Sequence, residues 1–90
     1  SQDGFVVVNV PLNKRNKLAG EPRIISRCFL HLSESGELLE AAQAAVKREL
    51  QRNGRAKPAK LLEAVSKTLQ DLFYNKTQSR PVILPNIVKM

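Results

Sequence analysis

The stretch Leu50-Gln51-Arg52-Asn53-Gly54-Arg55-Ala56-Lys57-Pro58-Ala59-Lys60 (LQRNGRAKPAK) separates two amphipathic patterns. Upstream, from Ser35 to about Arg52, Leu38, Leu39, Ala42, Ala45, Val46 and Leu50 recur with the spacing of one helical face. Downstream, Leu61, Leu62, Val65, Leu69, Leu72 and Phe73 form a second, stronger stripe. Ser33 or Ser35 is positioned to cap the first helix, and Gly54 to end it in a left-handed conformation. Pro58 suits the first turn of the second helix, where its missing N–H has no partner to lose. The stretch therefore reads as the joint of a helical hairpin.

Neither helix is apolar enough all round to be buried alone, so both stripes need a surface. The flanking sequence supplies it. Gly4 to Val10 (GFVVVNV) is β-branched and too short for an independent helix, and Pro11 breaks it. Residues 12 to 22 have the Asn, Gly and Pro content of a turn, with a short extended piece at Lys17-Leu18-Ala19. Arg23 to Leu32 (RIISRCFLHL) alternates, with Ile25, Arg27, Phe29 and His31 on one side and Ile24, Ser26, Cys28, Leu30 and Leu32 toward the core. The chain closes on RPVILPNIVKM, a strand from Pro81 or Val82 to Val88. The predicted fold is α+β, a two-layer sandwich in the order β-β-α-α-β, with a three-stranded sheet covered on one face by two helices. The third strand should run parallel to the first and antiparallel to the second.

Pro85 lies inside that last strand, where a residue without an N–H is tolerated only at an edge, a first position or a bulge. Val82, Leu84, Pro85 and Ile87 are accordingly the candidate association strand, through an open edge or an outer sheet face covered by a partner.

Ninety residues with 42% hydrophobic content fit one domain, residues 1–90, which buries roughly 60–65% of its unfolded surface. No run approaches the roughly 20 apolar residues needed to span a bilayer, and no signal segment opens the chain, so a soluble, cytoplasmic protein is expected. A lone Cys28 favours a reducing compartment, and the opening on Ser1 rather than Met suggests a piece of a longer protein.

The net charge of +7 is local. Lys47, Arg48, Arg52, Arg55, Lys57 and Lys60 stand against Glu49 alone, which accounts for +5. Bases at the end of the first helix complement its dipole and need no ligand. Lys57 and Lys60 oppose the dipole of the second, so these six residues are the candidate RNA contacts. The charge of Lys14-Arg15-Asn16-Lys17 is of the kind that solvent alone accounts for in a turn. His31 has no second ligand at metal spacing, Cys28 reads as a buried inert thiol, and no phosphate loop, metal motif or nucleophile elbow is present. No catalytic or metal residue, and no cofactor, is assigned to this chain.

Several segments together carry a family pattern: Ser1-Gln2-Asp3-Gly4 before a valine-rich strand, Gly20-Glu21-Pro22-Arg23-Ile24-Ile25-Ser26-Arg27-Cys28-Phe29, Glu34-Ser35 before a helix, and Tyr74-Asn75-Lys76-Thr77 leading to Arg80-Pro81-Val82-Ile83-Leu84-Pro85. The chain resembles the C-terminal domain of bacterial ribonuclease J. It departs at Cys28, where the family has glycine in Ser-Arg-Gly-Phe, at Val82 in place of methionine, and at the final Val88-Lys89-Met90. The resemblance implies a parent hydrolase for RNA processing and degradation, with a metallo-β-lactamase core, an inserted β-CASP domain and two zinc ions. That enzyme would act as a 5′-to-3′ exonuclease and endonuclease, and none of its metal ligands or catalytic carboxylates maps onto residues 1–90. It further implies that this domain supports homo-oligomer formation and has the parent catalytic core as a partner. The alternative is a KH-like RNA-binding module using Gly54-Arg55-Ala56-Lys57 as a phosphate clamp, in which Lys57 occupies the place of the second glycine.

Overall fold

Alternation along Phe5–Leu12 (β1) puts Val6, Val8, Val10 and Leu12 on one side of the strand, and in the computed structural model all four are buried. The structure describes residues 3–29, 31–34 and 36–90, and the side chains of all of these except 33 and 34. β1 is the central strand of three. Arg23–Arg27 (β2) pairs with it antiparallel and Val82–Lys89 (β3) pairs with it parallel, giving the order β2-β1-β3. The expected strand directions hold, and the closing strand pairs with the first. At Lys17–Ala19 the extended piece is a single bridge, Leu18 opposite Leu12, with the Ala19 N–H donating to the Pro11 carbonyl at 2.8 Å.

A short turn of helix, His31–Glu34 (α1), precedes Gly36–Arg52 (α2) and Pro58–Thr77 (α3). Ala42, Ala45 and Val46 of α2 and Leu61, Val65, Leu69 and Phe73 of α3 close over the valine face of β1, with Ile83 from β3 and Phe29 completing the core. Each large apolar side chain fully withdrawn from water contributes about 1.5–3 kcal/mol. The two-layer α+β sandwich in the order β-β-α-α-β is thus the observed architecture.

Four local expectations are corrected. The second strand ends at Arg27 rather than Leu32, because Cys28 takes a left-handed backbone (φ 61°) that turns the chain out of the sheet. Cys28 is consequently exposed, not buried, and Phe29 enters the core instead of facing outward. The turn is fitted against Gly4 (φ 80°), where an added Cβ would stand 2.2 Å from the Arg27 carbonyl oxygen. Gly54 is not left-handed. Asn53 ends α2 in its place: its N–H donates to the Glu49 carbonyl at 2.9 Å, and its side-chain amide donates to the same carbonyl. The expected cap by Ser33 or Ser35 lies outside the described side chains.

Pro85 is accommodated without a lost ladder bond. The Val82 N–H donates to the Gly4 carbonyl at 3.0 Å and the Met90 N–H to the Leu12 carbonyl at 2.8 Å. Alternate residues of a strand aim their backbone groups at the same neighbour, so 82, 84, 86, 88 and 90 face β1 while Ile83, Pro85, Ile87 and Lys89 face the open edge. Proline's missing donor falls on the edge, where it interrupts the template a further strand would need.

Candidate interaction surfaces

The face of the sheet opposite the helices is the first surface. Register places Phe5, Val7, Asn9 and Pro11 of β1 beside Val82, Leu84, Asn86 and Val88 of β3, and beside Arg27, Ile25 and Arg23 of β2. Phe5 is 39% exposed, Val82 45%, Leu84 46% and Val88 37%. Asn86 donates to Asn9 Oδ1 across the strands at 3.3 Å, so the polar pair within this face is joined to itself. The four residues of the candidate association strand do not share one surface. Val82 and Leu84 lie on the open face, whereas Pro85 and Ile87 are half-buried on the helix side, opposite Val8 and Val10. Phe5, Val7 and Val88 belong to the open face and were legible only through register, since β1 by itself does not say which strands flank it.

The second surface is the helical joint. Arg48, Arg52, Arg55, Lys57 and Lys60 are exposed, while Lys47 is partly covered and pairs with Glu21. Lys57 is the residue before α3 and makes no side-chain cap, and the first turn of that helix carries no acid. Two cations therefore stand at the positive end of a helix dipole with nothing on that turn to offset them. Glu49 offsets only Arg52 of the group. It is buried, accepting from Thr68 Oγ1 at 2.8 Å and from Asn53 Nδ2 at 3.0 Å, with Arg52 at 3.6 Å. This tie between α2 and α3 is a feature that sequence reasoning passed over, because a single acid among bases reads as solvated.

The remaining chemistry-bearing groups are scattered. His31 Nε2 lies 3.4 Å from Ser79 Oγ, with its ring against Phe29. Arg80 stacks over Tyr74 at 4.3 Å, and its N–H donates to Asp3 Oδ2 at 2.6 Å, which ties the entry of β3 to the start of the chain. Among the described residues no three His, Cys, Asp or Glu side chains come together to hold a metal, and no helix is long and apolar enough to cross a membrane.

The domain is thus a two-layer α+β module whose chemistry-bearing groups lie at its surfaces. The Ribonuclease J C-terminal domain family matches residues 1–90, and the chain belongs to that family. It is 32% identical to ribonuclease J2 of Bacillus subtilis over 94 residues, covering all of this chain and 17% of that protein. It is 32% identical to ribonuclease J 1 of Streptococcus pyogenes (98% of this chain, 16% of the relative) and 30% identical to ribonuclease J 2 of Staphylococcus aureus (97% and 16%). The chain spans about a sixth of the length of these relatives.

Proposed function

We propose that residues 1–90 form a non-catalytic C-terminal domain of a cytoplasmic, RNA-degrading hydrolase, and that its role is to join copies of the parent enzyme through the open sheet face. The observation that carries this reading is that face: Phe5, Val82 and Leu84 are exposed as neighbours, with Val88 beyond the Asn9–Asn86 pair, on a sheet whose other side packs against the helices. Monomers seldom leave contiguous apolar patches uncovered, and a sheet face buries them efficiently against another sheet. The face is favoured over the open edge of β3, because Pro85 removes a donor from the middle of that edge.

Membership in the ribonuclease J family supports an RNA-degrading hydrolase as the parent, and we assign exonuclease and endonuclease cleavage to that parent as part of the proposal. The zinc of a metallo-β-lactamase core fits none of the described residues here, so we place it, with the catalytic groups, in the part of the parent beyond this domain. Association is tested by sedimentation of the parent enzyme with and without residues 1–90. A smaller assembly after deletion is expected, and an unchanged one overturns the reading.

A further inference from the structure

The turn between β1 and β2 lies against the helical joint. Asn13 Oδ1 accepts from the Arg15 N–H at 2.8 Å and the Lys17 N–H at 3.0 Å, while the Asn13 N–H donates to the Lys17 carbonyl at 2.8 Å. Lys89, at the end of β3, donates to Asn16 Oδ1. The Lys17 ammonium stands 4.0 Å from where a Cβ of Gly54 would be, and a groove lined by Asn16, Lys17, Leu18, Lys47, Leu50 and Gly54 runs between the two loops. Lys14, Arg15 and Lys17, all exposed, thus extend the cationic joint across both layers of the sandwich. Of the acids close by, Glu21 pairs with Lys47 and Glu49 is buried in its bonds to Thr68 and Asn53, which leaves Glu63, exposed one turn along α3 from Lys60, against six cations. Glu37 and Glu40 lie near the far end of α2, three to four helical turns away.

We infer that this two-loop pole is a contact surface for the phosphodiester backbone of RNA, in which Lys14, Arg15 and Lys17 act together with Arg55, Lys57 and Lys60. The choice of RNA as the polyanion rests on the proposed role in an RNA-degrading enzyme; the geometry goes beyond it. Cations on three elements at one end of the domain can neutralise successive phosphates, whereas a clamp confined to Gly54–Lys57 would hold fewer. Base stacking has no part in it. Phe29 and Phe73 are buried, Phe5 lies on the open sheet face, and Tyr74 sits under Arg80 beside the entry to β3. Binding is therefore independent of base sequence and steeply dependent on salt.

The test is fluorescence anisotropy of the 90-residue chain with a labelled 20-nucleotide RNA over a salt series, with poly-glutamate of matched charge as competitor. Lys14→Glu/Arg15→Glu/Lys17→Glu and Arg55→Glu/Lys57→Glu/Lys60→Glu are each expected to weaken binding about tenfold or more and to lower the salt slope by about two. Arg23→Glu/Arg27→Glu/Lys67→Glu, which changes the same charge elsewhere, is expected to weaken it far less. A β1–β2 turn variant that binds like the unaltered chain overturns the two-loop pole, equal loss in the control triple reduces it to net charge, and equal competition by poly-glutamate overturns RNA as the partner. Sedimentation of the two loop variants, which leave the open sheet face untouched, should be unchanged, so failure here is distinguishable from failure of the association reading.

Discussion

Gly4 and Cys28 face each other across the turn that takes the chain out of β2, and they answer to opposite constraints. At Gly4 a methyl group would overlap the Arg27 carbonyl, with the nearest approach at 2.2 Å, on a backbone that L side chains rarely adopt. Gly4→Ala is expected to lower stability by ~2 kcal/mol or more, read as a shift of the urea midpoint. Cys28 already holds a left-handed conformation that costs a non-glycine residue ~1 kcal/mol or more. Cys28→Gly, which restores the residue of the family pattern, is expected to raise stability by ~0.5–1 kcal/mol, the gain being reduced by glycine's looser unfolded state. A Cys28→Gly variant less stable than the original would contradict this account of the turn. It is also the point at which the sequence misleads: Ser26-Arg27-Cys28-Phe29 continues a strand by composition, and only a φ value carries the information that it stops.

Among the elements, the two long helices and the central strand were legible because periodicity and burial coincide in them, as in Leu61, Val65, Leu69 and Phe73 along one face of α3. The tie between α2 and α3 was not, since Thr68 and Glu49 are nineteen residues apart and neither looks special in its own helix. Thr68→Val leaves a buried carboxylate oxygen short of a hydrogen bond and is expected to cost about 1–2 kcal/mol, falling toward zero when Glu49→Met removes the acceptor. Additive losses in that double-mutant cycle would show that the bond contributes little. For β3, Pro85→Val supplies a donor to the open edge without altering the ladder to β1. Its far-UV circular dichroism is expected to stay unchanged while concentration-dependent aggregation increases, seen by light scattering; no increase would mean that the edge is protected by something other than proline.

At the scale of the whole molecule, the fold places two unlike surfaces apart. The apolar face lies on the side of the sheet away from the helices, and the cationic pole gathers where the β1–β2 turn meets the helical joint. The basic run from Lys47 to Lys60 stood out in the sequence because it is contiguous. The contribution of Lys14, Arg15 and Lys17 did not, because it depends on the antiparallel hairpin returning that turn to the same end as Gly54. Likewise the half of the association strand formed by Pro85 and Ile87 could be assigned to the helix side only once β3 was seen beside β1. The proposed association face and the proposed RNA contact are therefore separate surfaces, and variants in one leave the other in place.

Self-association of the 90-residue chain bears most directly on the role of the open face, and sedimentation equilibrium measures it. The unaltered chain is expected to show, as its concentration rises, an apparent mass of two or more copies of 10.1 kDa. Val82→Asp/Leu84→Asp, which places charges on exposed positions of that face and leaves the core intact, is expected to stay at the mass of one copy with unchanged circular dichroism. An unaltered chain that remains a monomer throughout, or a variant that associates as well as it does, would contradict the assignment.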